Sequence, residues 1–497
     1  MTEIAIAASL EWPSRELEAK NFVAGAWRAS PSGKCVYSPY NNKLLGSIFP
    51  AAPDDVDAAI VAAEEAFLKW RAVPLKERSA RLLQFRQFLL RDIDRLSVSA
   101  ALESGKTFSE ARAEVLKGIE VLEFAAALEN SDQGGVMEVS RGVTCEYRRE
   151  PLGVTVGISP FNFPCMVPMW MIPISIALGN SFILKPSDKV PFTPCLMAEL
   201  MKEAGIPDGV FSIVHGGKDV VDLLVDHPLV KAISFVGSSP VARNVYQRAT
   251  GHGKRALCLG GAKNHLIVTP DAEMSVAVDG IVASFTGCAG QRCMATSVLV
   301  AVGEVDHIID AVVDAASKMT LGRDMGALID RAAHARLTAA LDKAVHDGAR
   351  LRLDGRDAPM PAGYESGNWL GPSVLDDVQV QMNCACDELF GPVLSVIRVA
   401  TIDQALDLER RSRYGNALSV FTASGHVARY VAERATSGMI GINVGVPVPR
   451  EPFSFGGTKE SKFGSTDITG WGGVEHWSHR KKITTKWSSQ SDKNWMS

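Results

Sequence analysis

Hydrophobic and polar positions change period several times along this chain of 497 residues. From Asn21 to about Ser47, short apolar runs alternate with turn residues (NFVAGAW, CVYSPYNNKLLGSI), which predicts strands. Helical spacing then takes over. Asp54 is placed to cap a helix over Val56 to Trp70, and after Pro74 the residues Leu82, Leu83, Phe85, Leu89 and Leu90 recur three and four apart. A third helix is predicted over Thr107 to Leu128. Gly134-Gly135 breaks the pattern, and Val136 to Arg149 reads as two strands. Such a hairpin is expected to pair with another part of the molecule or with another subunit.

Beyond Pro151 strands and helices alternate regularly. Strands are predicted at Val154 to Ser159, Ser181 to Lys185, Val210 to Val214, Ala232 to Val236 and Ala256 to Leu259. Helices lie between them, the first being the apolar run Cys165 to Leu178. Strands joined by crossover helices make a parallel, doubly wound α/β sheet. Ligands of such sheets, nucleotides above all, bind at the carboxyl ends of the strands. A second α/β region runs from Asp271 to about Val446, with strands at Ser297 to Val302, Val393 to Val399 and Leu418 to Phe421. The tail from Trp471 reads as strand-forming (KKITTKW) and is a candidate partner for the hairpin.

Composition narrows the function without changing this outline. A hydrophobic fraction of 46%, with 22% charged residues, is that of a globular protein with a large core. The net charge of -4 supplies no global field to recruit nucleic acid or anionic lipid. Nine cysteines scattered from Cys35 to Cys386 form no disulfide framework, which predicts a reducing, cytoplasmic setting. No histidine stands at ligand spacing from them, so no metal is expected. The amino-terminal MTEIAIAASLEW lacks the basic start and apolar run of an export signal.

Chemistry gathers around G-C-A-G-Q-R-C, a glycine-broken loop between a predicted helix over Ala272 to Phe285 and the strand Ser297 to Val302. That geometry lifts Cys293 out of a packed framework, and the cation of Arg292 beside it is expected to favour the thiolate. Cys293 is the candidate nucleophile, against the plainer reading of a core cysteine. The first strand of the parallel sheet ends in S-P-F-N-F-P. There Asn162 offers an amide donor beside a helix start, fit to hold a developing oxyanion. The second ends in Lys185-Pro186-Ser187-Asp188, whose lysine and carboxylate can bind a ribose diol. The fourth runs into Gly237-Ser238-Ser239-Pro240. Ser239 is expected as N-cap, and the free N–H groups suit a pyrophosphate, although a capped helix alone explains the pattern. Glu388 and Phe390 stand in a turn, E-L-F-G-P-V, that enters a strand.

Taken together and in this order, F-N-F-P, K-P-S-D, F-V-G-S, G-Q-R-C and E-L-F-G-P-V resemble the NAD(P)-dependent aldehyde dehydrogenase superfamily over Asn21 to Trp487. G-A-K-N-H at Gly261 to His265, A-G-Q-R-C-M-A at Ala289 to Ala295 and V-P-V-P at Val446 to Pro449 resemble its CoA-acylating branch, the methylmalonate and malonate semialdehyde dehydrogenases. The resemblance implies a doubly wound nucleotide-binding domain (1–130 and 151–261), an α/β catalytic domain (262–446) and a small β oligomerisation element (131–150 and 471–497). It also implies a homodimer or homotetramer. Cys293 would attack the aldehyde, with Asn162 and the Cys293 N–H holding the oxyanion. Lys185 and Asp188 would hold the adenosine ribose, Gly237 and Ser238 the pyrophosphate, and Glu388 with Phe390 the nicotinamide ribose. NAD is the first choice and NADP stays open, since the family usually has glutamate where Asp188 stands.

Two departures from the family pattern bear on the reaction. Water-using members carry a general-base glutamate four residues before the equivalent of Lys263, and here that slot is Leu259. A leucine cannot deprotonate water, whereas a thiol acceptor is acidic enough to do without that base, so CoA is expected as acyl acceptor. The semialdehyde branch holds its substrate's carboxylate with two arginines. Arg292 matches one, but Lys117 stands for the other, a point charge in place of a bidentate fork. Arg450 is expected to compensate. The alternatives are a hydrolytic aldehyde dehydrogenase giving the free acid and a non-catalytic structural member of the fold. The presence of both Cys293 and Asn162 argues against the latter.

Overall fold

The structure is a computed structural model that describes residues 14–131 and 134–487. The amino-terminal residues read above for an export signal, and the tail past 487, lie outside the described residues. An eight-stranded sheet is built on five parallel strands in the spatial order Arg255–Leu259, Val230–Val236, Val154–Ile158, Ser181–Lys185 and Phe211–Ile213. Val154–Ile158 and Ser181–Lys185 are buried along their whole length, and the second accordingly reads as a continuous F-I-L run rather than an alternating one. Antiparallel strands close both edges, Lys462–Phe463 on one side and the pair Asn21–Val23 and Ala26–Arg28 on the other.

The chain leaves Val154–Ile158 in one direction and returns on its other side through Val230–Val236. Beyond the carboxyl ends of these two strands a crevice opens, the ordinary ligand position in such a sheet. The apolar helix Met166–Ala177 lies buried, and its last carbonyls, Ile176 and Ala177, accept from the Trp70 indole at 2.9 Å and the Arg78 guanidinium at 2.8 Å.

A second sheet has seven strands, in the order Arg350–Leu353, Ser373–Asp376, Val393–Val399, Thr296–Val302, Asn264–Val268, Ala417–Phe421 and Met439–Ile442. All pairs are parallel except the first. The tail strand Ser478–Lys486 pairs antiparallel with Val143–Pro151, which pairs in turn with Gly134–Ser140.

Four local expectations are corrected. The first long helix is Pro53–Trp70, and Asp55, not Asp54, reaches back to the Ala52 N–H. Ser238 rather than Ser239 is the N-cap of Ser239–Gly251, because the Ser239 hydroxyl is spent on Glu460 O and the Gly261 N–H. The tail from Trp471 begins inside a helix, Gly470–Trp477, and turns to strand only at Ser478. Asn264–Val268 occupies a central place in the second sheet, although its polar start, K-N-H, hides it from a periodicity reading.

No helix among the described residues is long and apolar enough to cross a membrane, and no group of three metal-ligating side chains occurs among them. All nine cysteines are free thiols.

Candidate active site

At the crevice of the parallel sheet lies a cavity of about 710 Å³. Every residue assigned to nucleotide binding from sequence lines it: Lys185, Asp188, Gly237, Ser238, Glu388 and Phe390, joined by Asn162. The Lys185 ammonium donates to Gly216 O at 2.7 Å and lies 3.7 Å from Asp188, whose carboxylate accepts from the Gly216 N–H. Burial lowers the Lys185 pKa, and Asp188 pulls the other way. The helix Ser239–Gly251 starts at this cavity without a side-chain cap, so its first N–H groups are available to an anion. Glu388 accepts from the Ala262 N–H at 2.8 Å, and a Cβ on Gly261 would collide with its carboxylate. Burial pushes Glu388 up to about 7.

The candidate nucleophile stands on a loop that the chain holds against its own preference. Between the helix Met274–Thr286 and the strand Thr296–Val302, Cys288 and Ala289 both adopt left-handed backbone, with φ of 53° and 52°. For residues with a Cβ this costs about 1–2 kcal/mol each. Hydrogen bonds from several elements hold it there. The Glu110 carboxylate accepts from the Cys288 N–H at 2.6 Å, and the Asn162 amide donates to Gln291 O at 2.9 Å. The buried Gln291 side chain accepts from the Ile329 N–H at 3.0 Å and donates to Ala327 O at 3.3 Å. Asn264 and Asn416 donate to Cys293 O at 2.7 and 3.0 Å.

Cys293 lines a second cavity, about 390 Å³, whose walls include Phe163, Trp170 and Phe455 as well as Lys117 and Arg292. Asn162 lines the first cavity and is bonded to the loop whose Cys293 lines the second, so one hydrogen bond links the walls of the two. One Asn162 amide hydrogen is engaged at Gln291 O, and the other remains for a bound oxygen.

The structure corrects two expectations about charge here. Arg292 does not make Cys293 a resting thiolate. Burial pushes the thiol up to about 12 and the Glu388 carboxylate adds to it, outweighing the backbone N–H groups and Arg292. The reason is visible in the guanidinium, which turns back to the carbonyls of Ala283 and Ser284 at the end of the preceding helix. Arg450 also fails its assignment. Its side chain is 74% exposed, lies 3.8 Å from Glu120 and lines neither cavity. Its neighbour Glu451, 5% exposed, turns inward instead to 3.6 Å from the Lys117 ammonium. Lys117 does line the Cys293 cavity, bonded to Glu120 at 2.8 Å.

Sequence reasoning missed Glu110, Gln291, Asn264, Asn416 and Glu451. Gln291, Asn264 and Asn416 sit beside or inside conspicuous motifs, but as uncharged amides they give no signal of chemistry. Glu110 is hidden as the third residue of a capping box with Thr107.

Comparison with known proteins identifies the family. The profile of the aldehyde dehydrogenase family matches residues 27–483. Malonate-semialdehyde dehydrogenase 2 of Geobacillus kaustophilus is 42% identical over 479 residues, covering 94% of this chain and 98% of that protein. The crystal structure of methylmalonate-semialdehyde dehydrogenase from Oceanimonas doudoroffii superposes with a TM-score of 0.93 at 37% identity, covering 95% of this chain and 99% of that one. A chain from Sinorhizobium meliloti 1021, solved with NAD, superposes with a TM-score of 0.94 at 38% identity, covering 96% and 99%. With the family profile spanning nearly its whole length and relatives of this identity, the chain belongs to the aldehyde dehydrogenase family.

Proposed function

We propose that the protein oxidises a malonate- or methylmalonate-type semialdehyde with NAD and passes the acyl group from Cys293 to CoA. The observation that carries this reading is Leu259. It is 4% exposed at the end of the strand Arg255–Leu259, within the same apolar cluster against which Cys293 packs. Where water-using relatives keep a base, this chain has hydrocarbon, so a thioester formed on Cys293 awaits a better nucleophile than water.

The residues suit the reaction in sequence. Cys293 Sγ attacks the aldehyde carbon as its proton passes to water, and the oxygen of the resulting thiohemiacetal takes hydrogen bonds from the free Asn162 amide hydrogen and the Cys293 N–H. Lys185 and Asp188 would hold the adenosine ribose, Gly237, Ser238 and the helix start the pyrophosphate, and Glu388 with Phe390 the nicotinamide ribose. NAD, when bound there, supplies the hydride acceptor. Collapse to the thioester is followed by attack of the CoA sulfur on the acyl carbon, with Cys293 Sγ as leaving group. Lys117 and Arg292 attract the substrate's carboxylate, and a malonate-type acyl group loses CO₂ during turnover.

The hydrolytic reading has one observation in its favour. Glu388, with a pKa of about 7, lines the cofactor cavity and is a carboxylate able to take a proton from water.

The test is a rapid-mixing experiment. Without CoA the enzyme is expected to release about one NADH per active site and then slow, whereas CoA restores steady turnover and yields acyl-CoA. Fast steady NADH production without CoA, giving free acid, would select the hydrolytic reading.

The division into a nucleotide-binding region (1–130, 151–261), a catalytic region (262–446) and an oligomerisation element (131–150, 471–497) is part of the same proposal. The strand Gly134–Ser140, with Val136 and Met137 exposed at the sheet edge, suits a homodimer or homotetramer contact. Nine free thiols suit a cytoplasmic setting.

A further inference from the structure

The carbonyl of Cys293 is gripped twice. Asn264 Nδ2 donates to it at 2.7 Å and Asn416 Nδ2 at 3.0 Å, which occupies both lone pairs of the oxygen. One partner would satisfy a buried carbonyl, so two exceed what burial requires. Both amides are themselves buried, at 3% and 5% exposure, and neither lines either cavity. They come from neighbouring strands. Asn264 heads Asn264–Val268, and Asn416 immediately precedes Ala417–Phe421. Asn264 also accepts from the Ala417 N–H at 3.0 Å and donates to Ala295 O at 3.0 Å, tying the two strand starts to the turn that carries the nucleophile.

The other end of the gripped peptide is the Met294 N–H. That group acts on the Cys293 sulfur, favouring its thiolate against the burial that opposes it. Because a peptide unit is planar, anchoring its oxygen fixes the direction of its N–H. Hydrogen bonds accepted at the oxygen also polarise the unit and strengthen the donor.

We propose that Asn264 and Asn416 are positioning residues for the reaction: by gripping the Cys293 carbonyl from two strands, they keep the Met294 N–H aimed at the sulfur and so set the nucleophile's reactivity without touching substrate. The proposal rests on Cys293 being the nucleophile. Other charged groups face the thiol: Arg292 from its own loop, Glu388 from the turn before Val393–Val399, and Glu110, Glu114 and Lys117 from the helix Phe108–Ala126 across the cavity. The variants below leave all of them unchanged.

Asn416→Leu is the cleaner variant, since among the described residues Asn416 Nδ2 otherwise donates only to Met294 Sδ, at 3.2 Å. Alkylation by iodoacetamide is followed in the ligand-free enzyme between about pH 7 and 10, where the rate tracks the thiolate. Loss of one donor is expected to slow alkylation about tenfold at each pH, and to lower kcat by a similar factor with little change in KM or NAD affinity. A merely structural role predicts the opposite sign, because a loosened loop admits water to the thiol and speeds alkylation. Unchanged or faster alkylation in a variant that folds and binds NAD therefore overturns the proposal. Asn264→Ala, with the same expectation, keeps the test decisive if Asn416→Leu does not fold. If iodoacetamide leaves wild-type turnover intact, the nucleophile assignment itself fails. Normal inactivation of the wild type with an unslowed variant rejects only the positioning role.

Discussion

Lys117 enters the Cys293 cavity already flanked by Glu120 at 2.8 Å and the buried Glu451 at 3.6 Å. A substrate carboxylate must compete with both for one ammonium, and Lys117 lacks the fork that would let it serve two acceptors with fixed geometry. Lys117→Ala is therefore expected to lower the preference for a carboxylated semialdehyde over its neutral analogue by about tenfold in kcat/KM, whereas Glu451→Gln should raise it. The comparison is made at low and high salt, where the wild-type preference fades as screening grows. An equal effect of Lys117→Ala on both aldehydes would remove the lysine from carboxylate recognition. Glu451 and Arg450 are adjacent in sequence, and only the fold decides which of them turns inward to Lys117.

Among the elements, the loop from Gly287 to Ala295 is the most constrained. Gly290 has φ +68°, and a Cβ there would run into the Gly391 carbonyl of the E-L-F-G-P-V turn. Gly290→Ala is expected to destabilise the protein by roughly 2–4 kcal/mol and to remove most turnover, since relief requires the loop or the Glu388 turn to move. Gly363→Ala is the control. Its φ is +81°, but nothing lies within 4 Å of the added atom, so strain alone costs about 1 kcal/mol and kcat should hold. Denaturant midpoints and kcat for the two variants separate backbone strain from collision.

For the whole molecule, buried titratable groups decide how stability answers to pH. Burial lowers His215 and His476 to about 3 and His265 to about 4. Below about pH 6.5 the unfolded chain binds protons that these folded histidines refuse, so stability is lost as pH falls toward their folded values. Glu103, raised by burial to about 8, and Glu388, raised to about 7, act in the opposite sense. Their contribution is complete once pH falls below the unfolded carboxylate value, about 4.5. The loss is therefore expected to be shallow from pH 6.5 to 4.5 and steep below, as read by Tm in a pH series. A Tm that stays flat to about pH 3.5 would mean that these histidines are hydrated in the folded protein.

Local pattern sufficed for the five parallel strands, the crossover helices and the order of motifs at the strand ends, because strands buried on both faces and capped or glycine-terminated helices carry their signals in consecutive residues. The same local signals placed Cys293, Asn162, Lys185, Asp188, Gly237, Ser238, Glu388 and Phe390 at strand ends or loop tips, while the roles expected of them came from the family resemblance. The ionisation of Cys293, the outward course of Arg450, the inward turn of Glu451 and the amide grip on the Cys293 carbonyl were not. Each depends on how much water is excluded around a group and on partners that lie between 29 and 334 residues away in the chain. Burial and long-range hydrogen bonds exist only once the two sheets are assembled around the loop, and the tertiary structure alone decided them.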